Sequence, residues 1–462
     1  IFRVGAYVRV CFNIRCVNVS AKLVAKMNTI KEGSYVVVRG QNNTRLVQVD
    51  GKKPVFFGKR KFSIQTAIGE AFGSIFEIDN RDLRKVSAEE YRKRCSECEV
   101  PGDDAQTSGQ DNRNLVDDGK SQKLTREDIE TFKADGTSGE SIIKTLVENS
   151  TTFKEKTEYA QRKYLKKKQD KYLQHVTLEQ PTARLLVEMY YSQNPTKIGN
   201  MRIDSLAQML TCCNVRSGGR YIVFDAYLGL LTAAVLERLG QDGTVVQVYA
   251  GQGPDSSYRQ AVYALNLGEE FLRSIVLELP YVKAKSLLID QSSETPEKKP
   301  EDDNACAEME DLSDKNSLSN SDGTIDNSQP SNESASAMNS KDAERAARKQ
   351  RRLLEQQKAM DLLKTKSLDG LLVTSKHHPT GIVLSLLEFV APSRPFAVFC
   401  SFQEPLVDCY TQLKSVGSAV FLRLTESWLR SHQVLPNRTH PSINMSGGGG
   451  YVLTGIKVAD DA

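Results

Sequence analysis

The chain has 462 residues, a formal net charge of +4, 39% hydrophobic residues and a mean hydropathy of −0.43. That length suggests two or three domains with real cores, the low hydropathy coming from polar segments between them. No apolar run reaches the roughly 18 residues a membrane-spanning helix needs, and the nine cysteines lack a disulfide-like rhythm, so no membrane and a reducing compartment are expected.

Residue 1 is Ile, the first Met is Met27, and Arg3, Arg9, Arg15, Lys22 and Lys26 all precede the first acid, Glu32. A mitochondrial presequence has this charge bias. The Val- and Cys-rich, Ser-poor composition of residues 1–26 favours instead an upstream extension or gene-model artefact, with Met27 as the start. Residues 27–94 read as a small β domain, a barrel or sandwich, with strands at 34–39, 45–49, 53–57 and 74–78 and turns at 40–43 and Asp50-Gly51.

Residues 95–180 read as a polar loop followed by a helical connector. Thr125 and Asp128 have capping-box spacing, and Ile129, Phe132, Ile142, Ile143, Leu146 and Val147 form apolar faces. A polar helix is expected from 154 to 171. It carries Lys154, Lys156, Arg162, Lys163, Lys166, Lys167, Lys168 and Lys171 against three acids, with Tyr159, Tyr164 and Tyr172 interleaved. Such a run is ordinarily a solvated face. Lysine stripes also neutralise phosphates, and the tyrosines could stack on unpaired bases or equally serve as core.

Residues 181–290 alternate helix and strand: helices at 185–191 and 205–212, a strand at 221–225, a helix at 230–239 and a strand at 244–249. That alternation implies a parallel sheet flanked by helices. Residues 291–342, rich in Ser, Asn, Asp and Glu, read as a disordered acidic insertion. Residues 343–462 open with a basic helix bearing Arg345, Arg348, Lys349, Arg351 and Arg352. The α/β pattern then resumes with strands at 370–374 and 396–399, helices at 380–389 and 405–414, and an antiparallel pair at 419–424 and 451–458. The insertion therefore interrupts one domain.

A seven-stranded sheet ending in an antiparallel hairpin is the plan of class I (Rossmann-like) S-adenosylmethionine-dependent methyltransferases. The turn after their first strand has the pattern acidic-x-Gly-x-Gly-x-Gly, because the cofactor approaches bare backbone. Here Asp225 holds the acidic place and Gly229 one glycine place, while Tyr227 and Leu231 replace the other two glycines. The second strand ends in Val248-Tyr249-Ala250-Gly251, without the acid that grips ribose hydroxyls. After the fourth strand, Ser375-Lys376-His377-His378-Pro379 is basic where a polar or acidic base-side motif is expected. The fold class is therefore α/β, a degenerate class I methyltransferase domain preceded by a small β-barrel domain, with no catalytic residue, no resident cofactor and no metal.

Weaker features have plainer readings. Cys95 and Cys98 form half a zinc-like spacing without a second pair, so metal binding is not expected. Cys212 and Cys213 read as a packed helix end, and His377 and His378 as an RNA-facing pair or a loop cap before Pro379. Gly447 to Gly450 lacks the Lys-Ser/Thr of a phosphate loop and reads as a flexible turn before the last strand.

Several long segments match one family: 111–120 (DNRNLVDDGK), 148–153 (ENSTTF), 201–210, 389–396 (FVAPSRPF), 433–436 (QVLP) and 445–451 (MSGGGGY). The chain from about residue 28 to 458 resembles the non-catalytic subunits of the eukaryotic tRNA (adenine-58-N1) methyltransferase. The resemblance implies a paralogous catalytic partner that holds S-adenosylmethionine, a heterotetramer with two copies of each, tRNA binding and a nuclear location. It implies support for N1-methylation of adenine 58 in the T-loop, initiator tRNA included. RNA-contact positions carried over are Gln110, Asp111, Asn112, Arg113, Asn114, Asp118 and Lys120 in the polar loop, and Lys163, Tyr164, Lys166, Lys167, Lys168, Lys171 and Tyr172 on the basic helix. Gln193, Lys197, Asn200, either Arg348 or Arg352, Lys376, Lys414, Leu422 and Gln433 complete the set. The rival functions are an RNA-binding scaffold or translation-initiation protein with no role in methylation, and an active methyltransferase.

Overall fold

The computed structural model describes residues 29–40, 43–58, 60–79, 81–97, 121–134, 139–153, 155–172, 175–251, 259–292, 332–376, 378–434, 439–443, 445 and 447–459. The N-terminal segment, the whole polar loop from Gln110 to Lys120, Cys98, His377 and most of the acidic insertion lie outside these residues. The chain divides into two compact units, Ile1–Asn194 with Gln260–Leu267, and Pro195–Arg259 with Gly268–Ala462.

The first unit contains strands β1 (Tyr35–Arg39), β2 (Thr44–Gln48), β3 (Val55–Phe57), β4 (Arg60–Phe62), β5 (Ser74–Asp79), β6 (Asp82–Val86) and β7 (His175–Glu179). Five of them form an antiparallel sheet in the order β2-β1-β7-β5-β6, and β3 and β4 form a separate ribbon. Pairing leaves β2 and β6 as edges, so among the described residues it does not close the expected barrel. β1 is a run of β-branched residues, and Val36 and Val38 join Phe62, Ile64, Phe76 and Leu178 in one apolar core. β7 comes from far along the chain. Its alternation places Val176 and Leu178 inward, which seats it between β1 and β5. On the side of β1 the Asn266 amide brackets the Tyr35 backbone, accepting from its N–H at 2.7 Å and donating to its carbonyl at 2.8 Å.

The connector helices follow their sequence signals. Asp128 accepts from the Thr125 N–H and hydroxyl at 2.9 and 2.8 Å, and the Asp128 N–H donates to Thr125 Oγ1 at 3.2 Å, closing the capping box. Those bonds, the backbone one foremost, hold the Asp128 carboxyl below its ordinary pKa. The basic helix runs Glu158–Tyr172, and its Leu165 and Tyr172 pack on buried Ile143.

The second unit adds β8 (Arg220–Asp225), β9 (Thr244–Tyr249), β10 (Val276–Pro280), β11 (Gly370–Thr374), β12 (Pro395–Cys400), β13 (Ala419–Trp428), β14 (His432–Gln433), β15 (His440–Pro441) and β16 (Gly448–Lys457). Seven of these form a sheet in the order β10-β9-β8-β11-β12-β16-β13, with β16 antiparallel to both its neighbours and the pairs from β10 to β12 parallel. Numbered within the sheet the order is 3-2-1-4-5-7-6, the class I methyltransferase topology. β8, β9 and β11 are near-continuous apolar runs because helices cover both faces of a parallel sheet. Between β10 and β11 the chain passes through the helix Tyr281–Ser292 and the long helix Asn332–Lys364, whose Ala359 and Leu363 return to the sheet's core. Strand order reverses between β8 and β11, which puts the crevice of the fold at the turns after those two strands.

Candidate functional site

Strand β8 delivers Asp225 to that crevice almost fully buried. Its carboxylate turns back on its own chain. It accepts from the N–H groups of Tyr227 at 2.8 Å and Thr232 at 3.0 Å, and from the Thr374 hydroxyl at 3.3 Å. Burial raises its pKa to about 6, and the hydrogen bonds from Thr232, Tyr227, Leu231 and Thr374 oppose that rise. The turn itself needs left-handed backbone at Leu228, φ 59°, and at Gly229, φ 75°, before the helix Leu230–Leu239 begins. Of the donors in this helix's first turn, which could face an anion, the Leu231 and Thr232 N–H groups are taken by Asp225 and the Leu230 N–H by the Tyr227 carbonyl.

The two residues that replace glycine are both in the core. Leu231 is fully buried and Tyr227 is 3% exposed. The Tyr227 ring stands edge-on to Phe399, with centroids 6.3 Å apart, and lies against Gly199, where a Cβ would fall 2.3 Å from its Cζ. Gly199, at φ 59°, supplies both the backbone shape and the missing side chain that the ring requires. The Tyr227 hydroxyl donates to the Ser375 carbonyl at 3.2 Å, and burial raises the phenol's pKa. S-adenosylmethionine needs bare backbone at this turn, and the residues present do not fit it.

The other two places that would grip a cofactor or base are also spent on internal contacts. At the end of β9, Tyr249 is 2% exposed and its hydroxyl accepts from Arg352 Nη2 at 2.7 Å. After β11, the Ser375 carbonyl holds Tyr227, the exposed Lys376 places its ammonium 6.0 Å from the Tyr227 ring centroid, and His378 pairs with Asp408 at 3.2 Å.

The glycine run before the last strand is not the flexible turn expected: Gly448, Gly449 and Gly450 lie inside β16. Arg202, with a side chain 5% exposed, pairs with Asp204 at 2.6 Å and donates to the Gly447 carbonyl. A Cβ on Gly449 would fall 2.8 Å from Arg202 Nε, and one on Gly450, at φ 72°, 2.5 Å from the Phe399 ring. Close approach, not flexibility, requires these glycines. Arg202 was not among the sequence candidates; the glycine run was the signal that a bulky group lies against that backbone. Of the two adjacent cysteines, Cys213 is buried at the helix end and Cys212 is exposed.

The RNA-contact candidates take several settings. On the basic helix Lys163, Lys167 and Lys171 are exposed. Lys168 is half-buried, and its pKa is lowered first by burial and then by Lys171, Lys167 and Lys156. Lys156 and Lys168 place their ammonium groups 5.3 and 5.1 Å from the Tyr164 ring centroid, and Tyr164 stands edge-on to Phe153. Tyr164 and Tyr172 therefore pack, with Lys156 and Lys168 half-buried over Tyr164, while Lys163, Lys167 and Lys171 face outward. Lys156 belongs to this cluster although it was not among the candidates. Only the backbone of Lys166 is described. Gln193, at a helix end, donates its amide to the Thr44 carbonyl of β2.

In the second unit, Lys197 is exposed in the short turn Pro195–Ile198, and Asn200 is exposed at φ 56°. Arg348 is exposed, whereas Arg352 is half-buried on Tyr249. Lys414 is exposed on the helix Glu404–Val416, Leu422 packs on the core from within β13, and Gln433 is half-buried in β14. Gln110 to Lys120 fall outside the described residues. Among the described residues no group of His, Cys, Asp and Glu could hold a metal ion, and no helix is long and apolar enough to cross a membrane.

Comparison with known proteins is consistent along nearly the whole chain. The Gcd10p family matches residues 29–316. A Mus musculus protein named tRNA (adenine(58)-N(1))-methyltransferase non-catalytic subunit TRM6 is 41% identical over 94% of this chain and 89% of its own length. The Dictyostelium discoideum protein of the same name is 32% identical over 93% of this chain and 80% of its own length. A solved tRNA (m1A58) methyltransferase TrmI from Aquifex aeolicus aligns with 94% of this chain and 100% of its own at 11% identity and a TM-score of 0.45. The strand order itself identifies the fold, and the matched residues and relatives establish that this chain belongs to the Gcd10p family.

Proposed function

We propose that this chain is the non-catalytic, tRNA-binding subunit of a tRNA (adenine-58-N1) methyltransferase. A paralogous catalytic subunit holds S-adenosylmethionine and transfers the methyl group to adenine 58 of the T-loop, in initiator tRNA among others. This chain supplies RNA-binding surface to a nuclear heterotetramer with two copies of each subunit. The observation that carries the reading is the Tyr227 ring filling the turn after β8, hydrogen-bonded to the Ser375 carbonyl. The names of the mouse and Dictyostelium relatives support it.

The exposed lysines of the helix Glu158–Tyr172 support tRNA binding, since each phosphate neutralised releases counterions. Such contacts position the RNA without performing chemistry. A base inside a folded T-loop must be made accessible before it can be methylated, which calls for a large holding surface. The test is reconstitution of methyl transfer to a tRNA transcript with the catalytic subunit, in the presence and absence of this chain. The expected result is methylation only by the pair. Full activity of the catalytic subunit alone would leave this chain as a scaffold, and activity of this chain alone would make it an enzyme.

A further inference from the structure

In the ribbon of the first unit, β3 and β4 pair Val55 with Phe62 and Phe56 with Lys61. Val55 and Phe62 are buried and meet the core's needs. Phe56 points the other way, 55% exposed, with the Lys61 ammonium 5.5 Å from its ring centroid. Beside it runs β2, an edge strand. Between β2 and β3 lies a cleft of about 310 Å³, lined by Arg45, Val47, Lys53 and Phe56 among others. That volume is near the low end for clefts that accept small ligands, roughly 300–1,000 Å³.

The cleft's lining holds one aromatic ring and two cations, Arg45 and Lys53, and Lys61 stands over that ring from β4. Arg45 donates from its guanidinium to the Phe56 carbonyl, which fixes β2 against the ribbon. Lys53 and Lys61 are exposed. The acid of the lining, Asp50, pairs with Lys53 at 3.1 Å and keeps its pKa below the ordinary value through bonds from the Lys52 N–H and from Lys53. An exposed ring with lysine and arginine around it is how sequence-tolerant single-stranded nucleic-acid sites are built, the ring stacking a base and the cations tracking its phosphates. The cleft also adjoins an expected RNA-contact position: Gln193 donates to the carbonyl of Thr44, which precedes Arg45 in β2.

We infer that the β2–β3 cleft binds an unpaired nucleotide of the tRNA, with the base on Phe56 and its phosphates on Arg45, Lys53 and Lys61. This rests on the tRNA-binding reading above and assigns it a further site. The β2 edge could alternatively accept an extended peptide of a partner protein, and the test separates the two.

The experiment uses the full chain copurified with its catalytic subunit. It measures affinity for a tRNA transcript by fluorescence anisotropy across a salt series, with thermal melting and gel filtration as controls. Phe56→Ala weakens tRNA binding about fivefold to a hundredfold, while Phe56→Trp stays near the wild type. Lys61→Gln lowers the slope of log K against log salt by about 0.7–0.9. The melting temperature of Phe56→Ala is unchanged, because the ring is outside the core. Wild-type affinity in Phe56→Ala overturns the site while leaving the tRNA-binding reading intact. Loss of the catalytic subunit from Phe56→Ala, with tRNA affinity kept, assigns the cleft to a protein instead. A wild-type complex that fails to bind tRNA overturns the broader reading and this site with it.

Discussion

The Tyr227 hydroxyl donates to the Ser375 backbone carbonyl across 3.2 Å, so the turn after β8 is bonded directly to the segment after β11. In a cofactor-binding methyltransferase those two segments flank a ligand. Here a side chain bridges them, and three packing partners, Gly199, Phe399 and Lys376, are arranged around its ring. Tyr227 is thus a structural centre of the second unit. Tyr227→Phe, which removes the hydroxyl's bond to the Ser375 carbonyl, should cost about 0.5–1.5 kcal/mol of stability. Tyr227→Ala should cost about 3–5 kcal/mol through the cavity it leaves. Urea denaturation of the two variants checks the order, and an Ala variant as stable as the Phe variant would mean the ring is not packed.

Asp225 makes stability depend on pH in the direction opposite to an ordinary paired carboxylate. Its folded pKa, about 6, lies above the unfolded value near 3.9. Both states are protonated well below pH 4. Between about pH 4 and pH 6 the unfolded chain ionises first, so stability attributable to this group falls as pH rises and levels off above pH 6. The loss is on the order of 2–3 kcal/mol. Asp225→Asn removes that titration while leaving at least one of the buried N–H groups that Asp225 accepts from badly paired. The stability gap between wild type and Asp225→Asn should therefore narrow as pH rises from 4 to 7. A constant gap in chemical denaturation across that range would contradict this.

The glycines of β16 differ in what they permit. A Cβ at Gly448 meets nothing within 4 Å, whereas Gly450 combines φ 72° with the Phe399 ring at 2.5 Å. Gly450→Ala should cost about 2–4 kcal/mol from left-handed backbone and overpacking, and Gly448→Ala should be nearly neutral. Similar melting temperatures for the two variants would refute the close-approach account.

Arg348 and Arg352 lie one helical turn apart but have different surroundings. Arg352→Ala removes the bond to Tyr249 and should lower stability by about 1–2 kcal/mol. Arg348→Ala, at an exposed position, should change stability by no more than about 1 kcal/mol and weaken tRNA binding. Replacing Lys166, Lys167 and Lys168 together by Ala should lower both tRNA affinity and its salt slope, by about 0.7–0.9 for each phosphate no longer neutralised. Filter binding at several salt concentrations reads both effects, and an unchanged slope for the triple variant would remove that helix from the RNA surface.

The parallel strands were legible in the sequence because burial on both faces leaves little choice of residue: β9 and β11 have the bounds their apolar runs imply, and β8 begins one residue earlier. The Thr125–Asp128 cap and the antiparallel final pair were equally readable. β10 was not, since Glu278 interrupts its apolar pattern and the preceding helix Glu269–Ile275 runs directly into it. β6 escaped because Leu83 and Val86 are its buried residues, a spacing of three that mimics a helix. β7 lies behind the basic helix, more than a hundred residues from β1 and nearly as far from β5, so no local pattern could place it. At the site, the loss of glycines at Tyr227 and Leu231 was visible, but what those side chains touch was not: Gly199, Ser375 and Phe399 come from three separate segments.

Isothermal titration of the purified chain with S-adenosylmethionine decides whether the turn after β8 is closed to the cofactor. No binding is expected of the wild type, and none of a variant with Tyr227 and Leu231 both changed to Gly, because the end of β9 and the segment after β11 lack cofactor-gripping and base-side groups as well. Saturable one-to-one binding by the wild type would contradict this closure.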